Sequence, residues 1–138
     1  FWNVYGVERD LEKSHVITDF IIKARDTGII DMLTDGNEER EFLYADDCCE
    51  ALEALMNNYS NISREEELCI TSFESTTIRE IANIIANHFG ATVIPSDKKD
   101  TVQMNKKNKA STHIFEYWKP KTSIREGIYM VIKEMHND

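Results

Sequence analysis

Apolar residues recur at intervals of three and four in four stretches of the chain, and shorter apolar runs stand between them. The first stretch, Val16, Ile17, Phe20, Ile21 and Ala24, predicts a helix entered through Ser14 as N-cap and stopped at Thr27-Gly28. The second, Ala51, Leu52, Leu55 and Met56, predicts a helix capped by Asp46 or Asp47, with Glu50 completing a capping-box-like start. In the third, Ile78, Ile81, Ile84, Ile85 and Phe89 form one buried stripe between a Thr77/Glu80 capping box and the terminator Gly90. The last, Ile124, Ile128, Val131, Ile132 and Met135, opens on Ser123 and Glu126, and Pro120 fixes its entry. The echo of Thr76-Thr77-Ile78-Arg79-Glu80 in Thr122-Ser123-Ile124-Arg125-Glu126 reads as one capping solution used twice rather than as a repeat.

Strands are expected at residues 1–5, ended by Gly6, and at 29–33, before the turn Asp35-Gly36-Asn37. Others are expected at 41–45, 68–71 and 92–94, the last ended by Pro95. Residues 7–13 form a charged loop, 57–67 a polar one, and 96–112 a lysine-rich segment with little periodicity. Short strands alternating with helices indicate an α/β arrangement. These strands are too short and too few for a complete sheet, so a part of a larger protein is expected. The opening Phe1-Trp2-Asn3-Val4-Tyr5-Gly6, without an initiating methionine, reads as a cut end with residues missing before it.

A chain of 138 residues with 41% hydrophobic content can build one domain with its own core. The formal charge of -9 is spread along the sequence, and its field repels nucleic acid and anionic membrane. Any anionic ligand must therefore be held locally. No apolar run approaches the ~20 residues of a membrane span, and no secretory signal opens the chain. A cytoplasmic, reducing setting is the default expectation. The three cysteines do not read as a disulfide framework; Cys48 and Cys49 lie about 100° apart on a helix, so at most one packs inward. His88, His113 and His136 have no ligand spacing with one another or with the cysteines, and no metal site is expected.

Arg40 is a lone fixed cation in an acidic run, immediately before the apolar strand of Arg40-Glu41-Phe42-Leu43-Tyr44-Ala45-Asp46-Asp47. Its planar fork of donors matches phosphate oxygens bidentately, which a lysine cannot do, and a diphosphate is the best candidate ligand. The alternative is surface pairing with Glu39, Glu41 or Asp47, worth about 0 to 1 kcal/mol. Lys106, Lys107 and Lys109 have the length to reach a phosphate, but a solvated loop is the preferred reading.

Asn3-Val4-Tyr5-Gly6, Ser14-His15-Val16-Ile17, Asp35-Gly36, the Arg40 to Asp47 run, Thr77-Ile78-Arg79-Glu80-Ile81-Ala82, Trp118-Lys119-Pro120-Lys121-Thr122-Ser123 and Glu126-Gly127 follow one another in this order. Together they resemble the C-terminal half of the NAD-dependent epimerase/dehydratase family, the extended short-chain dehydrogenase/reductases acting on nucleotide sugars. The resemblance covers nearly the whole chain and is loosest at 96–112. It implies a single substrate-binding C-terminal portion over 1–138, with strands and helices that complete a Rossmann domain whose dinucleotide-binding N-terminal half is absent. It further implies NAD or NADP in the intact enzyme, a nucleoside-diphosphate sugar as substrate, and the missing Rossmann half as partner. Homodimers are common in the family through helices of that half, so a homodimer remains open.

The family's glycine-rich phosphate loop has no counterpart here, because Gly6, Gly28, Gly36, Gly90 and Gly127 are too dispersed. Tyr117 and Lys121 have the spacing of the family's catalytic Tyr-x-x-x-Lys pair, but Pro120 between them prevents a regular helix and the match reads as accidental. As the resemblance implies, Arg40 contacts the diphosphate of the sugar nucleotide, Asn3 faces the substrate pocket, and Tyr5 and Gly6 border the nicotinamide. Val7 stands where the family has proline. Asp47 matches a family aspartate and is expected mainly as a helix cap and strand-loop organiser. Ser14-His15-Val16-Ile17 with Arg40-Glu41-Phe42-Leu43 is similar to the GDP-fucose synthase branch, where the histidine matching His15 is an acid. That branch has proline at Thr18 and, for a diphosphate contact, arginine at Lys23. An imidazole suits proton transfer near neutrality, although a histidine in a first helical turn is also commonly a surface residue. Without the Rossmann half the chain should not turn over. The rival reading is a non-catalytic module that binds a nucleotide sugar or a protein, and a further one is a structural remnant that only dimerises.

Overall fold

The computed structural model describes residues 1–100 and 109–136. Its elements in chain order are β1 (Val4–Tyr5), α1 (Val16–Thr27), β2 (Ile29–Asp31), β3 (Glu39–Glu41), β4 (Leu43–Tyr44), α2 (Ala45–Asn57), β5 (Ser75–Thr77), α3 (Ile78–Phe89), β6 (Thr92–Ile94) and α4 (Ile124–Met135). Short 3₁₀ turns sit at Leu11–Lys13, Tyr59–Asn61 and His113–Glu116. The strands pair in three two-stranded ladders, β1 with β4 and β2 with β6 in parallel, and β3 with β5 antiparallel. This is the α/β alternation expected from the sequence.

Two apolar clusters hold these pieces together. In the larger, Ile81 and Ile85 of α3 lie fully buried among Ile17, Phe20 and Ile21 of α1, Ile30 of β2 and Ile128 and Val131 of α4. Each such side chain contributes about 1.5–3 kcal/mol on burial, which is how three amphipathic helices clamp strands too short to form a sheet alone. The smaller cluster joins Leu43, Cys48, Ala51, Ile70, Ile114 and Trp118. Trp118 thus anchors the approach to α4, assisted by a bond from the Tyr117 hydroxyl to the Asn61 carbonyl. That placement takes Tyr117 and Lys121 to the Asn61 and Glu50 side of the fold, far from a paired catalytic role.

Helix signals start α3 and α4 at the expected residues, but among the described residues the expected Thr77/Glu80 box shows only its forward half. Thr77 Oγ1 accepts from the Glu80 N–H at 3.1 Å, and Ser123 and Glu126 form the complete reciprocal box. Gly28 and Gly90, at φ +69° and +68°, close α1 and α3 in the left-handed conformation that glycine adopts at least cost.

Four local expectations are corrected. The N-cap of α1 is His15 and not Ser14, with no side-chain cap; the acceptor near this helix start is Glu8, from the preceding loop, which takes the His15 N–H at 2.9 Å. Helix α2 begins at Ala45 with Tyr44 as N-cap and no capping box. Asp47 and Glu50 instead turn towards the approach to α4, where Asp47 accepts from the Lys121 and Thr122 backbone N–H groups and the Thr122 hydroxyl, and Glu50 pairs with Lys121. This tether fixes the rotation of α2: Asp47, Cys48 and Ala51 are buried, while Leu52 and Met56, expected inside, are exposed. Residues 68–71 are buried around Cys69–Thr71 but form no ladder among the described residues, where Ile70 accepts one backbone bond from Trp2 N–H; the strand at this stage of the chain is β5. Cys48 is buried and Cys49 exposed.

Candidate functional site

One hollow of about 660 Å³ lies between the loop after β1, the first turns of α1, and β3. Asn3, Tyr5, Gly6, His15, Lys23 and Arg40 all line it. Every residue singled out from the sequence as a site candidate is therefore in one concavity, although the candidates are spread over 38 positions of sequence from Asn3 to Arg40.

Alternation along β3 explains how Arg40 arrives there. Successive strand side chains point to opposite faces, so Glu39 and Glu41 point away from Arg40; their carboxylates accept from Ser75 Oγ at 2.9 Å and Thr71 Oγ1 at 2.6 Å. The alternative of surface pairing with the Glu39, Glu41 or Asp47 carboxylates is not what the structure has: Arg40 Nη2 donates to Asp100 Oδ2 at 2.8 Å, and Nη1 to the Glu39 carbonyl at 2.9 Å. The Arg40 side chain is 17% exposed and that of Asp100 23%. A guanidinium so enclosed sits where effective dielectric is lower than in bulk water, and its attraction for an anion is correspondingly stronger. Lys106 and Lys107 lie outside the described residues.

Asn3 occupies a left-handed backbone conformation, φ +39°, which asparagine tolerates better than most residues. Its amide donates to the Glu41 carbonyl at 3.1 Å and its own carbonyl accepts from Leu43 N–H, so both ends are stitched to β3 and β4. Tyr5 lines the hollow, and its ring packs against Phe42 and Tyr44 in the main cluster. Burial foremost, with Tyr44 and Asp47 adding, holds its hydroxyl above the ordinary phenol range. Beneath it lies Gly127 of α4, where a Cβ would come 1.9 Å from the hydroxyl oxygen.

Lys23 is already engaged, with Asp19 at 3.0 Å and Asp31 at 3.2 Å. Desolvation pulls its ammonium down, but the bonds to the two aspartates outweigh this and hold it above the ordinary lysine value. A diphosphate at Lys23 must compete with both carboxylates. His15 is 87% exposed at its side chain, and its Nδ1 is in contact with a Glu8 carboxylate oxygen.

Sequence reasoning missed Glu8, Glu38 and Asp100. Glu38 is 7% exposed, lines the hollow, and accepts from Thr34 Oγ1 at 2.5 Å. Period-two alternation from Arg40 back to Glu38 carries that signal. Asp100 is 60 positions from its partner, and no local pattern marks it.

Gly28 and Gly90 are helix ends, Gly36 is in a turn against Arg79, and Gly127 is inside α4. Gly6 lies on the wall of the hollow, next to Tyr5.

Comparison with known proteins gives the same framework. The chain is 30% identical over 135 residues to GDP-L-fucose synthase of Sinorhizobium fredii, covering 91% of this chain and 42% of that protein. Its fold superposes on the crystal structure of UDP-glucose 4-epimerase with UDP-glucose from Thermotoga maritima, with a TM-score of 0.77 at 22% identity over 99% of this chain and 44% of the other. It likewise superposes on dTDP-glucose 4,6-dehydratase from Bacillus anthracis in complex with NAD, with a TM-score of 0.77 at 19% identity over 99% and 43%. The chain thus spans about two fifths of the length of the proteins it matches. Residues 1–71 match the model of the NAD dependent epimerase/dehydratase family, and the chain belongs to that family.

Proposed function

We propose that residues 1–138 are the C-terminal, nucleotide-sugar-binding portion of an NAD(P)-dependent nucleoside-diphosphate-sugar epimerase, dehydratase or reductase. The observation that carries this reading is the Arg40 guanidinium sharing one hollow with Asn3 and His15. The likeness to a GDP-L-fucose synthase, a UDP-glucose 4-epimerase and a dTDP-glucose 4,6-dehydratase supports it.

In this reading Arg40 grips the diphosphate, exchanging the Asp100 carboxylate for phosphoryl oxygens. Lys23, held by two aspartates, is the weaker contributor. Asn3 orients the sugar, and His15 supplies a proton to it. Binding energy gathered at the diphosphate holds the reacting carbon in place. NAD or NADP, bound by a dinucleotide-binding half outside this chain, would supply the hydride chemistry, with Tyr5 and Gly6 bordering its nicotinamide. A cytoplasmic setting fits; among the described residues no helix is long and apolar enough to cross a membrane.

Calorimetric titration with GDP, UDP and dTDP tests the reading. One of them is expected to bind, and Arg40→Ala is expected to weaken it about 10- to 100-fold, the equivalent of losing one charge-assisted contact. Arg40→Lys should recover little, since an ammonium cannot reproduce the fork. Unchanged affinity in Arg40→Ala contradicts the proposal and favours the alternative of a protein-binding module.

A further inference from the structure

We propose that Glu8 is a positioning residue for His15: its carboxylate holds the imidazole through Nδ1, leaving Nε2 as the nitrogen that serves a bound sugar. This rests on the nucleotide-sugar reading above and adds to it a residue outside the sequence motifs.

The geometry is a clamp with two attachment points on one residue. One Glu8 carboxylate oxygen meets His15 Nδ1, and the other accepts the His15 backbone N–H at 2.9 Å. Fixing both the backbone and the ring removes freedom in χ1 and χ2 that an isolated, exposed histidine retains. Glu8 is itself held. Its side chain is 25% exposed against 87% for His15, and it shares the wall of the hollow with Thr18, which is 2% exposed. Partial burial pushes the Glu8 carboxyl up, but the His15 ring, the Thr18 hydroxyl and the His15 N–H outweigh it and keep it below the ordinary glutamate range.

Thr18 stands where the similar branch carries proline, and its hydroxyl gives Glu8 a polar neighbour that proline could not. The chain therefore carries a buried threonine, a half-enclosed carboxylate and an exposed imidazole in series, all three on the wall of the same hollow.

Chemistry assigns the direction. A carboxylate only accepts, so a neutral His15 bonded to it carries its proton on Nδ1. Nε2 then presents a lone pair, or a proton when the ring is charged, to whatever occupies the hollow. The other charged groups on this wall are Asp19 and Lys23 of α1, paired with each other, and Glu38 and Arg40 from the β3 side. Glu8 is the group bonded to the ring.

The test uses nitrogen-15 spectra of histidine-labelled chain at a pH where the imidazole is neutral. His15 is expected as the Nδ1–H tautomer in the wild type, lost in Glu8→Ala and restored in Glu8→Gln, whose amide oxygen still accepts. The Nε2–H form in the wild type, or no change in Glu8→Ala, overturns the proposal. In the enzyme joined to its dinucleotide-binding half, Glu8→Ala is expected to lower kcat about 10- to 100-fold, a fraction of the range for general acid–base catalysis, with KM for the nucleotide sugar unchanged. An unchanged kcat overturns it. If His15→Ala leaves kcat intact while Arg40→Ala abolishes binding, the Glu8 role falls and the diphosphate reading stands. If no nucleoside diphosphate binds at all, both fall.

Discussion

Replacing Asp47 by alanine is expected to destabilise the chain by about 3 kcal/mol, the largest single effect outside the hydrophobic clusters. Asp47 is 3% exposed and accepts three bonds from the approach to α4: Lys121 N–H at 2.9 Å and Thr122 N–H at 2.8 Å to Oδ2, and the Thr122 hydroxyl at 3.0 Å to Oδ1. Alanine leaves two backbone donors without their acceptor. Their desolvation is not returned, and unsatisfied donors of this kind are costlier than the net worth of the bonds themselves. Asp47→Asn should lose about 1 kcal/mol only, because one amide oxygen can still take both N–H groups while its NH₂ faces the Thr122 oxygen. Urea denaturation at constant m-value reads both numbers. A loss below about 1 kcal/mol for alanine would mean that the carboxylate tether is not what holds α4.

A methyl group at Gly127 is expected to destabilise by about 2 kcal/mol, the ordinary cost of overpacking a filled core. The new Cβ would lie 1.9 Å from the Tyr5 hydroxyl oxygen and 2.8 Å from the adjacent ring carbon. Neither can yield easily, since the ring is wedged between Phe42 and Tyr44. Tyr5→Phe alone should cost little, because its buried hydroxyl has no hydrogen-bond partner among the described residues to lose. Added to Gly127→Ala, it should return roughly half of the loss by removing the nearer of the two clashes, a coupling of about 1 kcal/mol between contacting residues. Additive effects in the four-species cycle would place the two residues out of contact.

These two contacts connect stability to the site. Asp47 draws the approach to α4 onto α2, Gly127 lets α4 close on Tyr5, and Tyr5 is the second residue of the strand that positions Asn3 and Gly6 at the hollow.

Much of this was legible from the sequence where the signal is local. The isoleucine stripe of α3 and the Ser123/Glu126 box need only neighbours three and four residues apart, and both stand where the pattern puts them. Asn3, His15, Lys23 and Arg40, far apart along the chain, line one hollow. What was not legible depended on partners distant in sequence. Asp47 and Glu50 have the spacing of a capping box, yet their partners are 71 to 75 positions away, and the tether they make decides which face of α2 is buried. Arg40 sits among acids in sequence, but alternation along β3 separates it from them and pairs it with Asp100. The Glu8 clamp spans seven residues of irregular loop, where no periodicity constrains direction.

The central claim is that this hollow receives a nucleoside diphosphate with Arg40 as its anchor. Proton–nitrogen correlation spectra of the isotopically labelled chain, titrated with GDP, UDP and dTDP, test it most directly. The account predicts saturable shifts at Asn3, Gly6, His15 and the Arg40 side chain for at least one nucleotide, and their loss in Arg40→Ala. Shifts confined to the shallow hollow of Glu50, Trp118 and Lys121, or none at Arg40 with any of the three, would contradict it.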